Sequence, residues 1–207
     1  VASGRQYAAL RRDLEALVPY IYFICENGAL VMYQDEQVLI DPMDADDLYD
    51  TVTACRALDG VYPVVCRASK ALFESTADPA FIRETQIHYP SSIIVDDQAE
   101  HCALKDVCKV AFFDRGDAQT HELPVLNEKL GSRLSVILSG EHWVDVMKPG
   151  VSKGTAMRRL QEMLGIAPEE CMAFGDYLND CELLESVGES YAMANSHPAV
   201  LRLAKYT

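Results

Sequence analysis

The sequence has few basic residues for its length. Its 207 residues include 18 lysines and arginines against 32 aspartates and glutamates, which gives a net charge of -14 and a pI near 4.7. Nucleic-acid-binding proteins need a basic surface for the phosphate backbone, so this balance argues against nucleic acid as a partner. A site for a small phosphate ester would have to overcome the negative field locally, with a metal ion or a well-placed lysine.

Long apolar runs and metal-binding spacings are also absent. No stretch approaches the roughly 18 apolar residues of a membrane span, and the opening VASGRQYAAL lacks the basic and apolar regions of a signal peptide, so no membrane partner is expected. The seven cysteines show no CxxC spacing and the five histidines no HxxxH pair. We therefore predict free buried thiols and a cytoplasmic location, not a disulfide framework or a zinc site.

The two ends of the chain have the alternating pattern of a parallel α/β fold. At the start, an amphipathic helix follows Tyr7, a continuous apolar run predicts a buried strand over 21–25, and a turn follows at 26–28. After residue 148 the same alternation returns. It predicts a helix over 153–164 closed by Gly165, a buried strand over 171–174, a helix over 179–187, a strand over 191–193 and a helix from Pro198.

The middle of the chain has a different pattern, with strands in adjacent pairs. It predicts a hairpin over 29–41, helices over 44–58 and 79–88, and strands over 61–67, 70–74, 107–114, 134–139 and 142–147, with Pro63 placing the first of these at a sheet edge. The predicted fold class is therefore α/β, a Rossmann-like parallel-sheet core interrupted by an inserted α+β domain. The core takes residues 1–29 and 148–207, and the inserted domain takes 30–147.

Three polar clusters lie at the carboxyl ends of the predicted core strands, where open parallel sheets bind ligands. They are residues 3–5, 26–28 and 175–176. Asp176 and Asp180 offer the hard oxygen ligands that magnesium prefers, although Asn179 and Asp180 would also suit a helix cap.

Lys153 could supply the positive charge that these carboxylates need beside them. It opens a helix, where the dipole disfavours a positive charge unless an anion lies in front of it. The alternative is a solvated surface lysine. Ser3 also has two interpretations. It could be a plain N-cap, or its hydroxyl and the Gly4 N–H could bind a phosphoryl oxygen.

Five segments, in this order and spacing, resemble the haloacid dehalogenase (HAD) superfamily, and more narrowly its Cof-type, sugar-phosphatase-like branch with a large α/β cap. They are VASGR, ENGA, GVSKGTAMRRL, FGDYLNDCELL and YAMANSHPAV. The resemblance implies an Mg²⁺-dependent phosphatase acting on small phosphate monoesters such as sugar phosphates. It also implies an HAD-like core in which the inserted domain is the cap.

The resemblance assigns roles to individual residues. Ser3 and Lys153 would be catalytic and would bind the phosphoryl group, Asp176 would hold magnesium, and Asp180 would support the metal and the catalysis. The remaining matches would line the phosphate pocket: Gly4, Asn27, Asn179 and Asn195.

The sequence departs from the family in one respect: no DxDGT segment, which carries the attacking aspartate, precedes the SGR motif. Asp44-Ala45-Asp46 has the spacing but lacks both the preceding apolar strand and the following Gly-Thr. We expect that this nucleophile lies upstream of residue 1 and that a piece is missing from both ends. Two alternatives stay open, a phosphomutase on the same core and a non-catalytic phospho-ligand-binding protein.

Overall fold

The structure is a computed structural model that describes residues 1–56, 58 and 60–207. Over these residues the α-helices are α1 Tyr7–Asp13, α2 Ala45–Cys55, α3 Pro79–Thr85, α4 Glu122–Leu130, α5 Lys153–Leu164, α6 Cys181–Glu185 and α7 Pro198–Leu203. The strands are β1 Tyr22–Cys25, β2 Leu30–Tyr33, β3 Glu36–Ile40, β4 Pro63–Arg67, β5 Ala71–Glu74, β6 Ser92–Val95, β7 Val107–Phe113, β8 Ser135–Gly140, β9 Trp143–Met147, β10 Met172–Gly175 and β11 Glu189–Ala192. The fold class is α/β, as predicted.

The middle of the chain builds a six-stranded sheet in the order β6-β5-β4-β7-β9-β8. The prediction that Pro63 places its strand at an edge is wrong, because β4 lies between β5 and β7. Pro63 is the first residue of the strand and pairs with Phe112 on β7, whereas pairing with β5 begins only at Val65. A proline at this first position has no partner strand on its other side, so its missing N–H costs no ladder hydrogen bond.

The two faces of this sheet are both covered. Alternate side chains along β4 face opposite layers: Val65 packs in the cluster that contains α2 and α4, and Val64 packs in the cluster that contains α3. The sequence analysis identified α2 and α3 but not α4 or the edge strand β6. A side chain that this sheet directs towards the core is therefore carried by a strand whose two faces are both packed.

The first strand belongs to a separate sheet in the order β1-β2-β3. β2 pairs with β1 in the register Cys25↔Leu30, and β3 pairs with β2; both strands lie in the range predicted for the inserted domain. Ala2 adds a parallel bridge to Ile24. Strands that follow one another closely in the sequence usually pair. Only a short turn separates β1 from β2, so the β2–β3 hairpin pairs with β1.

Helix α5 packs on this sheet and has the limits that the sequence predicts. Its N-cap Ser152 forms a capping box with Thr155, and Gly165 ends it in the left-handed conformation with φ 66°. Ala156 and Leu160 on its buried face pack against Ile24 and Val31. The first residue of this helix, Lys153, is thereby fixed beside the end of β1.

The last sheet pairs β10 and β11 in parallel. The strand predicted as buried over 171–174 is buried on only one face: Ala173 is enclosed, whereas Met172 and Phe174 are 55% and 60% exposed. Phe174 stacks on the Tyr191 ring instead of entering the core. Helix α6 is shorter than predicted, because residues 178–180 form a 3-10 turn before it.

All seven cysteines are free thiols, as predicted, and five of them are buried. None of the helices in the described ranges has both the length and the apolar character that crossing a bilayer would require.

Candidate active site

The first two predicted polar clusters meet at the end of β1. The Asn27 N–H donates to the Ser3 carbonyl over 3.1 Å, and the Glu26 N–H donates to the Arg5 carbonyl over 3.2 Å. A Cβ at Gly4 would lie 2.7 Å from Oδ1 of Asn27, so this close approach requires glycine. The prediction that these clusters are neighbours is confirmed.

Lys153 and Asp180 form a buried ion pair. The Lys153 Nζ lies 2.7 Å from Oδ1 of Asp180, and Lys153 is 5% exposed, which excludes a solvated surface lysine. The second oxygen of Asp180 accepts the backbone N–H groups of Asp176 and Tyr177 over 3.0 and 3.4 Å. Asp180 therefore orients the lysine and closes the loop after β10; its side chain does not cap α6.

Asn179 connects the loop after β10 to the turn after β1. Its Nδ2 donates to Oδ1 of Asn27 over 3.0 Å, although 152 residues separate them. A cavity of about 410 Å³ opens beside this contact. The predicted residues that line it are Ser3, Gly4, Lys153, Asp176, Asn179 and Asp180.

Asn27 and Asn195 are the predicted residues that do not line this cavity. Asn27 is buried, and its side chain contacts Asn179, which does line it. Asn195 lies exposed in the turn after β11. The next residue, Ser196, donates its hydroxyl to the Gly175 carbonyl over 3.2 Å, and His197 donates its N–H to the Asp176 carbonyl over 2.9 Å. The turn thus supports the end of β10 from behind.

The sequence analysis missed a second buried ion pair on the cavity, contributed by the six-stranded sheet. Lys109 on β7 places its Nζ 2.9 Å from Oδ2 of Asp145 on β9, and their exposed fractions are 3% and 1%. Nδ2 of Asn27 donates to the same Asp145 oxygen over 2.5 Å. The signal was present in the sequence, because a lysine and an aspartate interrupt the apolar strands VCKVAFF and WVDVM.

A third charged group, Glu26, lies beside this pair and is fully buried. Its Oε2 is 3.3 Å from the Lys109 Nζ, but neither of its carboxylate oxygens accepts a hydrogen bond from the described residues. Burial raises the pKa of Glu26 to about 7. Burial alone would lower the pKa of Lys109, but the charges of Asp145 and Glu26 outweigh it and raise that pKa.

Aromatic rings also line the cavity. Trp143, His88, Tyr89 and Tyr177 face it, and the His88 and Trp143 rings meet edge to face with centroids 5.7 Å apart. Trp143 therefore lies on the cavity, whereas another strand aromatic, Tyr33, stacks on Tyr22 in the first sheet. The lining of the cavity thus includes both charged and aromatic side chains.

Comparison with known proteins identifies the family. The profile of the haloacid dehalogenase-like hydrolases matches residues 1–207, the whole chain. The chain belongs to the haloacid dehalogenase-like hydrolases. The resemblance stated from the motifs is therefore confirmed, and the chain is that of an enzyme family.

Similar proteins of this family include named phosphatases. The 5-amino-6-(5-phospho-D-ribitylamino)uracil phosphatase YbjI of Escherichia coli (strain K12) is 30% identical over 211 residues, which cover all of this chain and 75% of that protein. The HMP-PP phosphatase of Citrobacter koseri is 31% identical over 97% of this chain and 72% of that protein. A solved structure from Streptococcus mutans, 22% identical, superposes with a TM-score of 0.88 over all of this chain and 77% of its own, and shows the same fold.

Magnesium is the metal that membership of the HAD family implies, and of its two predicted ligands Asp176 has the available carboxylate. Asp176 is exposed and lines the cavity, whereas both oxygens of Asp180 are taken by Lys153 and by backbone N–H groups. No group of three or more His, Cys, Asp or Glu that could hold a metal occurs among the described residues. Mg²⁺ often takes only one or two protein carboxylates and completes its shell with water and phosphate, so Asp176 fits as a direct ligand and Asp180 as a supporting residue.

Proposed function

We propose that the protein is an Mg²⁺-dependent phosphatase that hydrolyses small phosphate monoesters at the cavity described above. The observation that carries the proposal is the buried Lys153–Asp180 pair, which holds an ammonium at the cavity beside Ser3, Gly4 and Asp176. A buried lysine at a helix start is unfavourable unless negative charge is placed before it, and a phosphoryl group would add to the charge of Asp180 there. The named phosphatases among its relatives support the same reaction class.

The residues have distinct proposed roles. The Ser3 hydroxyl and the Gly4 N–H would donate to phosphoryl oxygens, and Lys153 would stabilise the charge that develops during transfer. Asp176 would hold the metal ion, which supplies positive charge that lowers the repulsion between an anionic nucleophile and an anionic ester. Asp180 and Asn179 would position these groups without touching the phosphorus.

The attacking group in this proposal is an aspartate of a DxDGT segment, which residues 1–207 do not contain. Its carboxylate oxygen would bond to phosphorus as the ester P–O bond breaks, and the leaving alkoxide would take a proton from water to become the alcohol. Water would then hydrolyse the aspartyl-phosphate, releasing phosphate and regenerating the carboxylate.

The six-stranded sheet with its helices would be the cap. We propose that the inserted domain begins after β3, near residue 41, and ends near 147, because β2 and β3 pair with the core strand β1. Its ring-lined surface would then contact the leaving group. Aromatic faces pack on sugar C–H groups as well as on planar rings, so sugar phosphates fit, and the uracil-containing name of one relative makes a ring-bearing ester the second candidate. The seven free thiols favour the reducing cytoplasm as its compartment.

The test uses the full-length protein that contains this chain and its DxDGT segment. We expect phosphate release from p-nitrophenyl phosphate and from a panel of sugar phosphates, dependent on Mg²⁺ and abolished by EDTA. Asp176→Ala should lower kcat by about 100-fold or more, since the metal loses its direct carboxylate. Asp46→Ala is the matched control, because this exposed aspartate on α2 is not on the cavity and its loss should leave kcat within twofold.

The same assay separates the alternatives. Isomerised sugar phosphate without free phosphate would identify a phosphomutase. Tight binding of phosphate esters with no turnover would identify a non-catalytic binder. Turnover that survives Asp176→Ala unchanged would refute the assignment of the metal site.

A further inference from the structure

Lys109 and Asp145 are buried charges that the proposed chemistry does not require. They come from neighbouring strands of the six-stranded sheet, where Asp145 pairs with Ala111, two residues after Lys109. Replacing a buried ion pair with apolar residues of similar volume is often neutral or stabilising, so stability alone does not account for the pair. Its contacts outside its own sheet are therefore the feature to explain.

Both side chains contact the polar loops that border the cavity. The Lys109 ammonium donates to the Gly4 carbonyl over 2.8 Å, 105 residues away in sequence. The Asp145 carboxylate accepts from the Asn27 amide, whose oxygen in turn accepts from Asn179. One ion pair of the six-stranded sheet is thus bonded directly or indirectly to all three polar loops of the site.

The contact with Gly4 has a specific consequence for Ser3. The Gly4 carbonyl belongs to the same planar peptide group as the Arg5 N–H, and that N–H donates to Oγ of Ser3 over 3.2 Å. When Lys109 fixes the carbonyl, it fixes the direction of this N–H. Because Oγ accepts from Arg5, the Ser3 hydroxyl proton is left to donate to an anion in the cavity.

We propose that Lys109 and Asp145 are positioning residues, which orient the Ser3 hydroxyl and the Asn27–Asn179 contact only when the six-stranded sheet is docked on the core. This proposal rests on the proposed function, which assigns Ser3 and Asn179 to the phosphate-binding site. Docking of the cap and formation of the phosphate site are then one event. When an ester binds and the cap docks on the core, the Ser3 hydroxyl is oriented to donate to it. When the cap is undocked, this hydroxyl is not oriented.

The experiment compares four variants of the full-length protein. They are Lys109→Met, Lys109→Arg, Lys109→Met/Asp145→Leu and the control Arg67→Met, which breaks a half-buried ion pair with Asp106 in the same sheet but away from the cavity. The measurements are kcat and KM for p-nitrophenyl phosphate, calorimetric affinity for inorganic phosphate, thermal stability, and amide exchange over residues 3–7 and 26–29.

We expect Lys109→Met to lower kcat/KM and phosphate affinity at least tenfold and to accelerate exchange in both segments. Lys109→Arg should recover part of the loss, because it keeps the charge and a donor. The double variant removes both charges, so it should fold at least as well as the single variant and still bind phosphate poorly. Arg67→Met should keep kcat/KM and phosphate affinity within twofold.

A folded double variant that binds phosphate and turns over like the parent would overturn the proposal, because the pair would then serve stability alone. So would Lys109→Met with unchanged exchange over residues 3–7. If the parent itself neither binds phosphate nor hydrolyses any ester, the proposed function fails, and the exchange data still decide whether Lys109 orders the Ser3 loop.

Discussion

Gly28 is the position at which a single methyl group should most directly disturb the site. It follows Asn27 at a φ of 104°, and a Cβ there would lie 2.1 Å from the Ser152 carbonyl oxygen and 2.9 Å from the Lys153 backbone nitrogen. These are backbone atoms at the start of α5, so no rotation of a side chain can relieve the contact. Either the turn after β1 or the first turn of α5, with Lys153, has to move.

Gly150 supplies a matched control for Gly28→Ala. Its φ is 77°, yet among the described residues no heavy atom lies within 4 Å of the Cβ that alanine would add. Gly150→Ala therefore carries the backbone strain alone, about 1–3 kcal/mol. Gly28→Ala carries similar strain plus an overpacking cost of about 1–3 kcal/mol or more. The entropy lost by the unfolded chain is the same for both and cancels in the comparison.

The assay is urea unfolding followed by the fluorescence of Trp143, the one tryptophan of the sequence, together with kcat of the full-length protein. We expect Gly28→Ala to be less stable than Gly150→Ala by about 1–3 kcal/mol or more, in line with the overpacking cost. A displacement of Lys153 by about 1 Å should also lower kcat more than tenfold, whereas Gly150→Ala should retain it. Equal losses of stability in the two variants, with kcat unchanged, would refute the inferred packing of the turn against α5.

Two further predictions concern Glu26 and Trp143. Because burial raises the pKa of Glu26 to about 7 from an ordinary 4.5, the folded protein keeps a proton that the unfolded chain loses, and the parent should lose stability as pH rises from about 4.5 to 7. Glu26→Gln should remove this part of the loss, so its unfolding free energy relative to the parent should rise across that range. Burial also raises the pKa of Glu122 to about 7, but this group contributes equally to both proteins. A difference in unfolding free energy that does not change with pH would contradict the prediction. Trp143→Ala should raise KM for a ring-bearing ester about 2- to 13-fold, the equivalent of about 0.5–1.5 kcal/mol of stacking, with kcat little changed. An unchanged KM would show that the leaving group does not contact this ring.

The sequence was most informative where local chemistry decides the structure. Helix α5 has both of its predicted limits, because Ser152 and Gly165 cap it through contacts with near neighbours in the chain. The meeting of Lys153 with Asp180 was also predictable, since parallel strands bring their carboxyl ends to one edge. In these cases a position in the sequence fixes a position in the fold.

The sequence was less informative where the partner is distant. Pro63 indicated an edge strand, but strand order depends on which strands pair across the sheet, and the register of β4 tolerates proline at its first residue. Lys109 and Asp145 lie 36 residues apart on strands that are buried along almost their whole length, and neither strand alone shows that the two charges meet each other and Gly4. A charge inside an apolar strand was a sign of a buried partner, but the partner could be identified only from the assembled sheet.

The charge balance of the cavity explains why a strongly acidic chain would need a metal ion to bind a phosphate ester. Three basic side chains line the cavity against four acidic ones: Arg5, Lys109 and Lys153 against Asp145, Asp176, Asp180 and Glu141. All three cations are already paired with carboxylates, Lys153 and Lys109 with two of these four at 2.7 and 2.9 Å, and Arg5 with Asp13 at 2.6 Å. The side chains alone therefore leave the cavity net negative, and a dianionic phosphate would meet repulsion inside a protein that carries a charge of -14. A divalent cation beside Asp176 would reverse that balance from net -1 to net +1, and backbone N–H groups at Gly4 and the start of α5 would supply the remaining attraction.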